Sequence, residues 1–568
     1  MIGPPRVLIV GVTGLFGGLL AHRMVKENHF TVVGAARSLE SLNRFNEETG
    51  ADVVVVNRED HAAVDDVLST LKPFAVVDCA GPFQFYGDQP YRFAKQVLQA
   101  GCHYIDIADA SDFVTEIVEL DGLAKQHAKV AISGMSSTPA ISAAVADQLT
   151  QSLTHVISIE TTIIPGNRAR RTLSVMKAIL SQIGKPYEIT RFGESERVFG
   201  WSETRRVNLA LPLDAPVSER LASLVHTPDD AIFPDRYGAQ TVTLRAGLEI
   251  KWFHRTLEFL ALLVRWKLFR SIAPLTTTAR WVASFFENIG SDIGGMQVKV
   301  VGKTDKNTFV CRTWDLVASD GDGPEIPTLP VSVILDKLYN GSISAGARPS
   351  PGEITLADLE PQFNALNIQS TSNERLLSSV FKSALGESFG ELPLPIQELH
   401  SVAGRTVFEG RSESKGPTGI SGRLIARLFR LPGQAQDVPL QVTITANETS
   451  ETWLRQFADT AFRSHLAVDA AGVVRERFGP ISAVLDLQLV QDKLYFRIAS
   501  AKLFGLLPLP QALLPVSVAH ESTDELGRFV YDVCVTMPFG ARIAHYSGWL
   551  VKKNKAMNIS HDVGDQNQ

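Results

Sequence analysis

The chain has 568 residues, 45% hydrophobic and 20% charged, enough for two to four domains with ordinary globular cores. Its 55 basic and 61 acidic residues give a formal charge of −6, so no overall basic field argues for a nucleic-acid partner. Four scattered cysteines with no C-x-x-C pair argue for a reduced compartment, against structural zinc and against a disulfide framework; no metal site is expected.

A strand beginning by about residue 6 leaves no room for a signal peptide, so the expected location is cytoplasmic. That strand is the apolar run 7–10. Gly11, Gly14 and Gly17 follow it, then a helical pattern through Leu19, Leu20 and Met24, then a second apolar run at 31–36. Strand, glycine turn, helix and strand make a βαβ unit, with the glycines where a dinucleotide pyrophosphate would lie on a helix N-terminus. Gly11 permits the tight turn, Gly14 admits the phosphates and Gly17 lets the helix pack on the strand. The spacing is G-x-x-G-x-x-G, with Thr13 in place of the commoner middle glycine. Gly11, Thr13, Gly14, Leu15, Phe16 and Gly17 are the first candidate cofactor contacts.

An acid at the end of the second strand would hold a ribose 2′-hydroxyl; this chain has Arg37 and Ser38 instead. A guanidinium fork beside a hydroxyl suits a phosphate dianion, which favours NADP(H) over NAD. Further apolar runs at 53–56 and 75–77, with a helix at 64–71 between them, alternate as in a Rossmann-type, doubly wound parallel sheet. The fourth strand leads into Asp78, Cys79, Ala80, Gly81, Pro82 and Phe83. This turn should face the cofactor, so Ala80, Gly81, Pro82 and Phe83 join the candidate contacts.

Residues 79–113 contain Gly81-Pro82-Phe83, Tyr86-Gly87, Ala100-Gly101 and His103-Tyr104-Ile105-Asp106. With the glycine turn and the later run from Gly134 to Pro139 (GMSSTP), this segment resembles the saccharopine dehydrogenase-like oxidoreductase family. The resemblance covers about residues 6–150 well and continues more loosely to about 360. It implies an NADP-binding Rossmann domain at 1–150 and an α+β substrate and dimerisation domain at 151–362. From the latter the chain would return to the nucleotide fold near 327–361, and a homodimer is expected. One departure stands out: where the family often has T-G-E after the aspartate, this chain has Ala108, Asp109 and Ala110.

In the middle region, 157–164 and 240–250 read as strands, 172–184 as a helix, and 298–303 with 309–317 as a hairpin. The segment 257–286 is rich in apolar and aromatic residues. Its uncharged runs are too short to span a bilayer, so a core or dimer-interface helix pair is expected ahead of a peripheral membrane contact. Residues 349–352 and the polar stretch 368–375 punctuate the next boundary. Beyond it, 376–553 shows short β-type runs with helical segments at 376–385, 419–430 and 507–514, predicting a β-rich antiparallel α+β domain. It resembles an uncharacterised C-terminal domain sometimes fused to such proteins, through Trp453, Arg455 and Phe457. The tail 554–568 is expected to be disordered.

Hydride transfer also needs a proton donor or acceptor near the reacting atom. Tyr86 and Asp106 are the catalytic candidates, with His103, Tyr104 and Asp109 expected on the same cofactor side of the sheet. Ser136, Ser137 and Thr138 could bind carboxamide or carboxylate, or cap the next helix. Arg168, Arg170 and Arg171 could grip an anion or form a solvated turn. The expected function is an NADP(H)-dependent oxidoreductase acting on a C–N, C–O or C=C bond of a small or acyl substrate. An enoyl reductase for lipid or polyketide chains and a non-catalytic NADPH-binding scaffold or redox sensor are the alternatives.

Overall fold

The computed structural model describes residues 3–209, 219–306, 308–447, 450–458, 460–538 and 540–553; the tail expected to be disordered lies outside them. The chain divides into two compact units, Met1–Arg375 and Leu376–Gln568.

The first unit is built on a seven-stranded parallel sheet. Six strands come from the N-terminal region: β1 (Arg6–Val10), β2 (Thr31–Ala36), β3 (Asp52–Val55), β4 (Ala75–Asp78), β5 (His103–Asp106) and β6 (Val130–Ser133). The seventh, Gly346–Pro349, comes back from the far side of the middle region and pairs in parallel with β6. The spatial order is Gly346–Pro349, β6, β5, β4, β1, β2, β3. Strands covered on both faces must be apolar throughout, and four of the five β1 residues are buried. Helix α1 (Leu15–Glu27) follows β1 and buries Gly17, Leu20, Ala21 and Met24, a spacing that keeps one face on the sheet. It ends at Asn28, whose left-handed backbone lets its N–H donate to Met24 O.

The middle region forms a mixed seven-stranded sheet. Its order is Arg205–Val207, Arg220–Leu224, Thr241–Leu248, Leu153–Ile164, Gly294–Thr304, Phe309–Ala318, Ile368–Leu376. Thr241–Leu248 runs parallel to Leu153–Ile164, and the expected hairpin is antiparallel from Gly294↔Ala318 to Lys303↔Phe309. The polar stretch read as boundary punctuation is instead the edge strand Ile368–Leu376. Its side chains beyond Ile368 are nearly all in water, so polarity there marks an edge and not a loop. Helix Pro228–Tyr237 opens with Thr227 N–H donating to Asp230 Oδ2 at 3.1 Å and carries Asp229 into the interior.

The aromatic segment forms helix Lys251–Arg265 and helix Thr276–Ser284. Only His254, Ala261 and Val264 of the first and Thr276 of the second are buried; with Leu257, Leu260 and Ala279 packed beside Ala261 and Val264, the helices cover a small core on one side and leave much of their apolar surface exposed. None of the described helices is long and apolar enough to cross a membrane.

The second unit is a closed barrel of ten antiparallel strands. Around it run Ile481–Val490, Val474–Phe478, Ala461–Val468, Ser450–Phe457, Gln434–Ala446, Gly404–Lys415, Arg542–Lys552, Phe529–Thr536, Val516–Thr523 and Lys493–Leu503; the last pairs with the first. Directly paired residues share a face, so Phe408, Val442, Arg455 and Phe462 form one inward rung. Trp453, Arg455 and Phe457 alternate along one strand and therefore project to the same side. Helices Val380–Leu385 and Gly419–Leu428 fall where expected. The third expected helix, 507–514, is a two-residue strand and a short 3-10 turn, because Pro508 and Pro510 deny it backbone donors.

Candidate functional site

In an open parallel sheet the chain reverses direction at one point, and a crevice opens at the strand C-termini there. Here that point lies between β1 and β4. Gly11 leaves β1 with φ +84° and donates its N–H to Ala35 O at 2.8 Å. A Cβ at Gly11 would sit 3.0 Å from Ala80 Cα and N, and one at Gly17 only 2.4 Å from Gly11 O. The glycine turn, the loop after β4 and the start of α1 therefore touch backbone to backbone. Gly14 caps α1 without a side chain, and the first intrahelical bond is Gly18 N–H to Gly14 O at 2.9 Å. The amides of Leu15, Phe16 and Gly17 precede that bond and remain available to an anion.

This helix start opens on a cleft of about 590 Å3. One wall is Thr13, Gly14 and Leu15; a second is Ser41 and Arg44 on helix Leu39–Thr49. The third is the loop bearing Arg168, Arg170 and Arg171, joined by Arg280 and Glu287. Arg171 donates to Gly166 O, Asn167 O and Asn167 Oδ1, so it shapes the loop. Arg168 reaches Asn288 O, Arg280 pairs with Glu287, and exposed Arg170 has no partner among the described residues. Arg37 is exposed directly after β2, and Ser38 caps the next helix by accepting Ser41 N–H at 3.3 Å; neither lines the cleft. The convergence of Arg44, Arg170 and Arg280 on the glycine turn is a long-range event with no local signal.

At the ends of β4 and β5, Asp78 and Asp106 stand directly opposite one another, both fully buried. Asp78 Oδ1 accepts Ala80 N–H and its Oδ2 accepts the Tyr86 hydroxyl, each at 2.9 Å. Asp106 Oδ1 accepts Ala108 N–H, Ser133 Oγ–H and Gly134 N–H at 2.9–3.0 Å, which ties the ends of β5 and β6 together. Asp106 Oδ2 has no partner in hydrogen-bonding geometry, the Tyr104 phenol being its electrostatic neighbour. Burial pushes the Asp78 carboxyl up to about 6 and that of Asp106 up to about 7.

Tyr86 is half-buried. Its ring lies 4.9 Å from Phe83 and 3.3 Å beneath the Arg58 guanidinium, and its hydroxyl is committed to Asp78. Gly81 and Pro82 form the turn before Phe83, directly after Ala80, whose backbone meets the glycine loop. Gln84, which sequence reasoning passed over, donates its Nε2–H to Asp109 Oδ1 at 3.0 Å, linking the turns after β4 and β5. Tyr104 is buried within β5, close to both aspartates.

His103 does not belong to this side. It begins β5, at the opposite edge of the sheet, where its Nδ1 accepts Val130 N–H and burial lowers its pKa to about 4. Ser136 and Thr138 are buried in the turn after β6, and Ser350 latches that turn by donating to Gly134 O at 2.8 Å.

Residues 7–111 match the NAD dependent epimerase/dehydratase family. The N-terminal sheet has the Rossmann fold. Residues 392–550 match a domain of unknown function, DUF4166. No curated protein matches the chain. Among solved structures it is similar to apo saccharopine dehydrogenase (L-Glu forming) from Saccharomyces cerevisiae, at 13% identity and TM-score 0.48, over 65% of this chain and 100% of that one. It is also similar to biliverdin reductase from Synechocystis sp. PCC 6803, in complex with biliverdin and NADP+, at 14% identity and TM-score 0.30, over 60% of this chain and 92% of the other. GenD2 from gentamicin A biosynthesis, in complex with NAD, gives 14% and 0.32, over 67% and 98%. The Rossmann domain matches a nicotinamide-dependent family over its first five strands; neither the reaction nor the substrate follows from that.

Proposed function

We propose that this protein is an NADP(H)-dependent oxidoreductase that moves hydride to or from a C–N, C–O or activated C=C bond. The observation that carries the reading is the cradle at the β1–β4 crevice. Side chains at Gly11 and Gly17 would close it, and it leaves the first amides of α1 open beside a cleft rich in arginine. Gly14, Leu15, Phe16 and Gly17 would hold the pyrophosphate, with Arg170 supplying an unpaired guanidinium. Thr13 lines the same wall. Ala80, Gly81, Pro82 and Phe83 would border the ribose and the nicotinamide. Arg37, with Ser41 and Arg44 on the following helix, favours the 2′-phosphate of NADP(H) over NAD. The bound coenzyme would supply the hydride in the reductive direction and accept it in the oxidative one.

The chain's own part in proton handling falls to Tyr86 and Asp78. Asp78, at about pH 6 on the edge of ionisation, holds the phenol hydrogen while Arg58 covers the ring. Asp106 is enclosed and acts as a positioning residue, fixing the turns after β5 and β6 against the crevice.

Calorimetric titration with NADPH and NADH tests the reading, followed by NADPH oxidation against imines, ketones and enoyl thioesters. Uptake of neither coenzyme overturns it. Turnover of enoyl thioesters alone would assign an enoyl reductase. Tight NADPH binding with no turnover on any substrate would assign a non-catalytic scaffold.

A further inference from the structure

The two helices of the aromatic segment carry apolar surface that no described residue covers. Trp252 and Phe259 on Lys251–Arg265 and Trp266 at its C-cap recur every seven residues, so they form one line on the face opposite buried Ala261 and Val264. The tip after this helix reads Trp266-Lys267-Leu268-Phe269-Arg270, every residue of it exposed. On the second helix Trp281 and its neighbour Phe285, one turn on, contact edge to face at 4.8 Å while remaining more than 60% exposed. Single exposed apolar residues are ordinary; this many large apolar side chains exposed within one short helical segment mark an interaction surface.

The composition of that field selects its occupant. Trp252, Trp266 and Trp281 are 49%, 65% and 62% exposed, and no other tryptophan of the chain is classed as exposed. Residues 251–289 contain six basic residues (Lys251, Arg255, Arg265, Lys267, Arg270, Arg280) and two acidic ones (Glu258, Glu287), a local balance of +4 in a chain of −6. A second copy of the same face would bring like charges together. Tryptophan bodies interleaved with Lys and Arg suit the boundary between acyl chains and anionic headgroups, where the ring inserts and the cation stays at the phosphate level.

We propose that residues 251–289 dock this protein on an anionic lipid bilayer, with the 266–270 tip and the Trp281–Phe285 pair entering the headgroup boundary. The docking face and the cleft share an element. Trp281 and Phe285 lie on one side of helix Thr276–Ser284 and the turn that follows, while Arg280, Ala283 and Glu287 on the adjoining side line the cleft. The loop carrying Arg170 is fastened to the same segment, with Asn167 Nδ2–H bonding Phe286 O and Ile289 O at 2.7 Å. A protein seated this way would hold its cleft beside the lipid surface.

The test uses the full chain and vesicles of phosphatidylcholine with about one-third phosphatidylserine, against vesicles of phosphatidylcholine alone. Co-sedimentation should be strong on the anionic vesicles, weak on the neutral ones and reduced by salt. Tryptophan emission should shift blue and be quenched by brominated lipid. The double variant Leu268→Glu/Phe269→Glu should abolish binding, and Lys267→Glu/Arg270→Glu should weaken it about fivefold or more per charge. Both change only exposed side chains, and an unchanged thermal transition will show that they fold. No binding to anionic vesicles overturns the proposal. So does a wild-type dimer that Leu268→Glu/Phe269→Glu converts to a monomer, because the face would then belong to a second copy. Neither outcome depends on coenzyme binding, so failure here leaves the oxidoreductase reading standing.

Discussion

The two units solve the problem of polar groups inside a sheet protein in opposite ways. In the Rossmann domain the parallel strands end together, and their buried acids, Asp78 and Asp106, are gathered at the strand C-termini around the crevice. The barrel has no such end. Closure pairs every strand of the ring on both sides, and several buried polar groups pair with one another in its interior. His400 Nε2 meets Glu521 at 2.6 Å, Glu451 accepts Trp453 Nε1–H at 3.0 Å, and Arg455 Nη1–H donates to Ser464 Oγ at 2.9 Å. A buried carboxylate at a strand end borders a site; a buried carboxylate paired within a closed ring specifies packing.

Four perturbations bear on that contrast, beginning with the largest. Gly14→Val places branched carbon where the cradle is open and 3.1 Å from Gly11 O. Calorimetry should find both coenzymes weakened at least about a hundredfold, roughly 3 kcal/mol, with the barrel's thermal transition unmoved. Glu521→Ala does the reverse. Leaving His400 buried and unpaired should destabilise the barrel by about 3 kcal/mol in denaturant titration while coenzyme affinity stays at wild type. A loss of affinity there would dissolve the distinction.

The third is a pH experiment. Burial raises the carboxyls of Asp229, Asp106 and Asp78 to about 8, 7 and 6. Folding therefore favours their protonated forms. The stability these groups contribute is complete below the unfolded carboxylate range near pH 4 and is lost as pH rises through 6 to 8. Asp229, bonded only by Ser142 and Thr161 hydroxyls, is the clearest case. Asp229→Asn should be more stable than wild type by about 1–3 kcal/mol at pH 8 and no more stable at pH 4, in thermal melts at both pH values. The smallest effect is Arg37→Ala, expected to weaken NADPH about tenfold and leave NADH unchanged. Equal losses would remove the argument for the 2′-phosphate.

Local patterns carried the first unit's fold. Apolar runs and three glycines within seven residues place β1, the turn and α1, because Gly14 and Gly17 both answer contacts with Gly11 itself, although Gly11 in turn answers the distant Ala80. What depends on distant partners stayed hidden: Asp229 beneath Ser142, Ser350 latching Gly134, and Arg280 reaching the wall of the glycine turn. In the barrel, six strands were legible from the apolar runs at 405–409, 440–445, 483–489, 493–498, 529–537 and 543–551. Ser450–Phe457, Ala461–Val468, Val474–Phe478 and Val516–Thr523 were not, since half of each faces water and their inward residues include Glu451, Arg455 and Ser464. The leucines around 507–514 suggested a helix because their spacing outweighed the prolines between them. His103 was placed on the wrong edge for a simpler reason: a strand's first residue and its last lie at opposite ends of the sheet.

The strand Gly346–Pro349 completes a sheet whose last earlier member, β6, was synthesised some two hundred residues before it. While the ribosome is still translating the middle region, β6 has an open flank of Val130, Ala131 and Ile132. Any fragment halted near residue 150 would keep that flank bare, ready to recruit a neighbouring chain into aggregates.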